Sequence, residues 1–175
     1  MLASMRASRH RLLAVVLAVV FLVAAVGADA APGGRSARTV NVKIFAPRGD
    51  PGANCARVFA LGRKVQAPAV LGGALKALLR GPTASERARG YGGWFSAKTA
   101  GMLRSVRVAH GVAYVDFRNF SRVIPSASSS CGSALLLAQL GRTATQFPTV
   151  RRAIYSFDGS RRAFYEWLQR SPPAD

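Results

Sequence analysis

Thr39 to Phe45 alternates polar and apolar positions, with Val40, Val42 and Ile44 on one side, and this period of two predicts a strand. A turn-rich stretch from Ala46 to Asn54, carrying Pro47, Gly49, Asp50, Pro51 and Gly52, separates it from a second, shorter strand expected over Cys55 to Leu61. From Ala69 to Arg80 the period changes. Val70/Leu71, Ala74/Leu75 and Leu78/Leu79 recur at helical spacing, and Gly81-Pro82 stops the helix they predict. Thr83 and Glu86 have capping-box spacing, in which hydroxyl and carboxylate satisfy free amides of a short helix, so Glu86 reads as structural. Trp94 and Phe95 follow in a Gly-rich loop and read as a plug over the core.

Met102 to Phe117 is two alternating runs around His110-Gly111, the pattern of a hairpin with a two-residue turn. Such a turn sets the register. It pairs Ala109 with Val112, Val108 with Ala113, Arg107 with Tyr114, Val106 with Val115 and Ser105 with Asp116. Val106, Val108, Ala113, Val115 and Phe117 then share a buried face, Arg107, Tyr114 and Asp116 the other, and His110 stands at the turn tip. Ser128 to Ser130 offer N-caps for a second helix running to about Phe147 before Pro148, with Leu137, Leu140, Ala144 and Phe147 on its apolar stripe and Gln139, Arg142 and Gln146 off it. Val150 to Phe157 is a last strand, Asp158-Gly159 a turn, and Phe164 to Leu168 an aromatic segment expected to close one end of the core. The elements predict an α/β (α+β) domain, a mainly antiparallel sheet with two helices packed on one face, and the sequence holds no internal repeat.

Upstream of these elements, Arg6, Arg9 and Arg11 precede an uninterrupted 15-residue apolar run, Leu12 to Val26, followed by Ala28-Asp29-Ala30 and Ala31. This is the layout of a secretory signal peptide: small residues at Ala28 and Ala30 suit the peptidase, and cleavage is expected after Ala30, before Ala31. The run is short for a spanning helix, which needs roughly 20 apolar residues, although an uncleaved membrane anchor is the alternative. The expected organisation is a leader over 1–30, a flexible Ala/Gly/Arg/Pro tether over 31–38, one domain over 39–170 and a tail over 171–175, in a protein secreted or held at the cell envelope.

Residues 31–175 keep 22 Lys+Arg against 6 Asp+Glu, a net charge of +16. Such a charge favours anionic partners, which outside the cytoplasm are wall polymers, phospholipid headgroups and acidic protein faces, and not nucleic acid. Arg151, Arg152, Arg161 and Arg162, near the last strand, are the candidate anion contacts. Against that, the basic residues are scattered, with no run longer than two, and only 4 of the 22 are Lys, the pattern that compositional bias alone also produces.

Cys55 and Cys131 both lie in the exported part, where a disulfide is the simplest reading; it would close a separation of 76 residues, for which chain entropy gives about 4.5 kcal/mol. The competing reading makes Cys131, at a helix start, a nucleophile, but residues 31–175 offer only His110 as an imidazole partner. Asp50, Glu86, Asp116, Asp158, Glu166 and Asp175 are spread over turns, a cap, a strand face and the tail, without the pairing that acid/base catalysis needs. Phosphate-loop glycines, a metal-ligand cluster and a nucleophile elbow are all missing, so no catalytic, metal or cofactor residues and no small-molecule substrate are expected.

One combination is more specific than its parts. Leu78-Leu79-Arg80-Gly81-Pro82-Thr83 with Glu86, Val112-Ala113-Tyr114-Val115-Asp116-Phe117, Ser130-Cys131-Gly132-Ser133 with Leu135 to Gln139, Gln146-Phe147-Pro148-Thr149-Val150 and Phe157-Asp158-Gly159 occur in that order. Over roughly residues 40 to 169 the chain resembles the GerMN domain family of sporulation, spore-germination and bacterial envelope proteins. The resemblance implies a small α/β domain related to ring-building modules, without established catalytic residues, that works as a protein-interaction or assembly module through a partner or self-association. On that reading Gly81, Pro82 and Thr83 join two helices, Asp116 and Phe117 end a core strand, and Asp158-Gly159 makes a turn. The alternatives are an electrostatic binder of anionic wall polymer or membrane surface and, last, a thiol-dependent enzyme.

Overall fold

The alternating run at Thr39 forms strand β1 (Thr39–Ala46), which pairs antiparallel with β2 (Phe59–Gln66) in the computed structural model, where residues 38–50 and 54–174 are described. The leader, its residues Ala28, Ala30 and Ala31, and the tether up to residue 37 lie outside the described residues. β2 corrects the strand expected over Cys55 to Leu61 by starting four residues later and running on through Gly62, Arg63 and Lys64. Antiparallel pairing sets its extent: Ala46 stands opposite Phe59, Ile44 opposite Leu61 and Val42 opposite Arg63. Opposed residues share a face, so Arg63 points inward beside Leu61 and Val65, where Glu86 meets its charge.

The first helix, α1 (Val70–Leu79), buries Ala74, Leu75, Leu78 and Leu79 of the stripe its spacing predicts, together with Ala77, and leaves Val70 and Leu71 at its start half-buried. Gly81 ends it at φ +74°, where an added Cβ would lie 2.1 Å from the carbonyl oxygen of Phe95, so no side chain fits. Thr83 and Glu86 form the expected capping box on α2 (Ala84–Ala88), each side chain bonded to the other's backbone amide.

The hairpin joins β3 (Leu103–Ala109) to β4 (Val112–Phe117) with all five predicted pairs in register, and its turn has His110 and Gly111 at φ +51° and +79°. The last strand, β5 (Arg152–Phe157), adds to β4 in parallel, Val112 opposite Arg152 and Phe117 opposite Phe157. Two of the three strand pairings are thus antiparallel, and the strands divide into sheets β1-β2 and β3-β4-β5. The parallel pair needs a long crossover, which the second long helix, α3 (Ser130–Ala144), supplies. Helices α1 and α3 pack on each other, α1 against β1, β2 and β3 and α3 against β1 and β5, so the pair bridges the two sheets.

Three expectations about burial change. Val108, placed on the buried face, is 43% exposed because β3 is an edge strand. On α3, Leu136 takes the fully buried place expected for Leu137, while Gln139 is buried too. Its amide takes the backbone N–H of Trp94 at 3.3 Å and donates to the carbonyl of Phe45 at 3.2 Å, satisfying two loop groups inside the core. The helix ends at Ala144 and not Phe147, because Gln146 turns to β1 and pairs with both backbone groups of Lys43 at 2.8 and 2.7 Å.

Phe95 is buried and Trp94 donates its indole N–H to the carbonyl of Gly132 at 3.1 Å, the plug expected of them. The C-terminal aromatic segment is a helix, α4 (Arg161–Trp167), packed on β5. Phe164 meets Phe157 at 4.9 Å and Phe157 meets Trp167 at 5.3 Å, with Phe120 and Phe117 behind them, and these rings close one end of the core.

Candidate functional site: an arginine-lined groove

An open groove of about 740 Å³ runs between the outer face of α3 and the start of β5. From α3 and its C-cap it takes Leu137, Ala138, Gly141, Arg142 and Thr145, a set spaced to lie on one helical face. From β5 and the residue before it come Arg151, Arg152, Ala153 and Tyr155, and α4 adds Tyr165. The fourth wall is the stretch Ala56, Arg57 and Val58, which directly follows Cys55. Cys55 is joined to Cys131 of α3 by a disulfide with a Cα separation of 5.2 Å, and this ties the stretch to the helix.

Four arginines line the groove, and among the described residues no carboxylate does. Each guanidinium is held by an uncharged partner. Arg151 donates to the carbonyl of His110 at 2.8 Å and Arg152 to that of Ala174 at 2.7 Å. Arg142 lies 5.5 Å from the ring centroid of Phe45, and Arg57 5.3 Å from that of Phe59. Carbonyls and rings orient these groups without neutralising them, so the groove carries a concentrated positive potential.

Tyr155 forms part of the floor. It is 3% exposed, its backbone N–H donates to the Tyr165 hydroxyl at 3.4 Å, and its own buried hydroxyl has no hydrogen-bond partner. Burial pushes its acidity far outside the physiological range, so the phenol stays neutral and remains a donor. Above it Gly141 carries no side chain; a Cβ there would come 3.9 Å from the Tyr155 hydroxyl.

The candidate anion contacts separate here. Arg151 and Arg152 line the groove, whereas Arg162 sits on α4 in an i,i+4 ion pair with Glu166 at 2.5 Å, and Arg161 lies beside it outside the lining. Arg57, Arg142 and the Tyr155 hydroxyl are added by the fold; the two-residue basic runs that marked the sequence include neither Arg57 nor Arg142.

The described carboxylates have structural partners elsewhere. Glu86 takes both guanidinium nitrogens of Arg63 at 2.7 and 2.6 Å; these hydrogen bonds, opposed by burial and helped by the amide of Thr83, hold its carboxyl at about 2. Asp116 accepts from Ser156 at 2.7 Å and from the Gly159 amide at 2.8 Å, and pairs with Arg104 at 3.2 Å. Asp158 pairs with the same Arg104 at 2.5 Å, which with the Asn119 amide keeps its carboxyl below the usual range. Both cysteines are joined in the disulfide, as the simplest reading of the sequence expected, and Cys131 carries no free thiol. His110 is exposed at the turn, and among the described residues no group of His, Cys, Asp and Glu is placed to hold a metal ion.

A further groove of about 480 Å³ lies along edge strand β3, lined by Val106 and Val108 of that strand, Val70 and Leu71 of α1, and Phe147 and Val150, with Lys76 and Arg104 also in its lining. Among the described residues, no helix is long and apolar enough to cross a membrane.

Residues 45–162 match the family described as "Germane: Sporulation and spore germination". Among solved structures, the tandem GerMN domains of the sporulation protein GerM from Bacillus subtilis are 18% identical, with a TM-score of 0.49, over 79% of this chain and 45% of that one. This chain therefore spans about half of the tandem-domain structure. The first GerMN domain of the same protein is 17% identical, with a TM-score of 0.45, over 69% of this chain and 84% of that one. No curated protein sequence matches the chain.

Proposed function

Because the chain belongs to the Germane family of sporulation and spore germination, we propose that it is a secreted, non-catalytic interaction module of the bacterial cell envelope, built to dock a protein partner or a second copy of itself. The observation that carries this reading is the edge of β3. It ends a sheet with Val108 43% exposed, next to an apolar groove rimmed by Val70, Leu71 and Val106, and an uncovered edge strand is a template for strand addition from another chain. Its charges fit the same reading: Glu86 pairs with Arg63, and Asp116 and Asp158 share Arg104, so that each of these carboxylates ties separate segments of the fold together.

Cosedimentation of the exported protein with envelope fragments tests this, across a salt series and with half the fragments treated with protease beforehand. At high salt, where attraction between charges is screened, binding should persist, disappear after protease, and fall at least tenfold in Val108→Asp, whose side chain is exposed and whose fold should persist. The absence of any salt-resistant, protease-sensitive binding, or equal binding at high salt by Val108→Asp, refutes the docking reading.

A further inference from the structure

We propose that the groove between α3 and β5 is a binding site for a phosphate ester, a phosphomonoester or phosphodiester oxyanion attached to a short polyol, held by Arg57, Arg142, Arg151 and Arg152 with the Tyr155 hydroxyl beneath. The site is distinct from the β3 edge and does not depend on it.

Guanidinium forks match phosphate oxygens two at a time, and four of them in one groove exceed what a single carboxylate uses. No described carboxylate competes for them there, and their existing partners are rings and carbonyls, which carry no charge for an anion to displace. The floor is divided. Leu137, Ala138 and Ala153 offer apolar surface to the carbon part of an ester, while the Tyr155 hydroxyl is a neutral donor without an acceptor, nearly enclosed in the protein. A buried hydroxyl left unpaired is a standing cost that an anionic oxygen reaching the floor beside Gly141 would remove. The volume suits a small ester or one repeat of a polymer, and the groove is open, so a chain can continue beyond it. The disulfide completes the site by fixing the segment that carries Arg57.

Lipid headgroups and anionic wall polymers both present this chemistry, and the test separates them. Titration calorimetry of the oxidised, exported protein uses glycerol 3-phosphate, soluble poly(glycerol phosphate), phosphatidylglycerol vesicles and, as an acidic control, polyglutamate. Glycerol 3-phosphate and one of the larger ligands should bind, the larger ligand that binds tighter identifying the source. Arg142→Gln and Arg152→Gln should each lower affinity about tenfold, while Arg122→Gln, an exposed arginine away from the groove, should change it less than twofold.

Tyr155→Phe separates a ligand contact from a structural role. Its hydroxyl has no partner, so the variant should keep or raise its melting temperature while losing several-fold in affinity. The proposal is overturned if none of the phosphate ligands binds, if polyglutamate binds as tightly as the phosphate polymer, if Arg122→Gln costs as much as the groove variants, or if Tyr155→Phe binds unchanged. None of these outcomes bears on protease-sensitive docking at β3, so the two readings fail separately.

Discussion

Arg63→Leu should cost about 3 kcal/mol at pH 7, and the loss should fade as the solution is acidified. Arg63 stands on the inner face of β2, and its guanidinium is the main reason that the carboxyl of Glu86 titrates at about 2 instead of 4.5. At about 1.4 kcal/mol for each pH unit between those values, the pairing contributes roughly 3 kcal/mol to folding. The variant leaves a carboxylate that is 7% exposed without its cation, a change that costs about 3–5 kcal/mol in comparable buried pairs. Because the folded value is depressed, this contribution is fully present above about pH 4.5 and is lost as pH falls through about 2. In the variant Glu86 takes up its proton at higher pH, so the gap between the proteins should narrow from pH 5 downward and fall below about 1 kcal/mol at pH 2. Urea unfolding of both proteins at pH 7, 5, 3 and 2 measures it, urea being preferred because guanidinium salts screen the pair. A gap that stays constant with pH would show that Arg63 acts through the packing of its stem, and a gap under about 1 kcal/mol at pH 7 would refute the ion-pair argument.

Replacing Cys55 and Cys131 together by Ser should lower stability by up to about 4.5 kcal/mol, the chain-entropy value for a separation of 76 residues; urea midpoints unchanged by the substitution would show that the closed loop is already ordered in the unfolded chain. His110→Asn should raise the melting temperature slightly, by about 0.5 kcal/mol of stability, because His110 holds φ +51° ahead of Gly111, where Asn-Gly is the favoured pair of a two-residue turn; a lower melting temperature would mean that the imidazole makes a stabilising contact of its own.

The parts legible in the sequence are those in which neighbours along the chain decide the outcome. His110-Gly111 sets the hairpin register, Gly81-Pro82 stops α1, and Thr83 with Glu86 starts α2, each within a few residues. The misplaced parts are those where a distant segment decides. β2 extends through Gly62, Arg63 and Lys64 because β1 supplies a paired edge and Glu86, 23 residues further on, supplies a counter-charge. Gln139 is buried because Phe45 and Trp94 bring it backbone groups from 94 and 45 residues away. Val108 carries the alternation of a buried strand, but whether a β-strand's apolar face is covered depends on which strand ends the sheet. A signal for Arg63 was present: it shares a period of two with Leu61 and Val65, which places a charge on an apolar face and calls for a carboxylate partner.

The same distinction bears on the net charge. Compositional bias scatters arginine without regard to what lies next to it, and along the chain the basic residues do look scattered. In the fold their surroundings differ. Arg63 and Arg104 stand against carboxylates from other segments and are spent on the architecture, Arg162 pairs with Glu166 on the surface of α4, and Arg57, Arg142, Arg151 and Arg152, drawn from three separated stretches, line one groove whose described lining holds no carboxylate. Arg151-Arg152 and Arg161-Arg162 look alike as dipeptides, yet only the first pair faces that groove, and Glu166 neutralises one member of the second. Drift in composition sets the number of arginines without regard to place; it does not select one groove in which four of them meet no described carboxylate and whose lining includes a tyrosine with a buried, unpaired hydroxyl. For that reason the effect of Tyr155→Phe on affinity is the sharper discriminator: bulk charge sets the salt dependence of any basic protein, but a hydroxyl that carries no charge alters binding only through a ligand that reaches it.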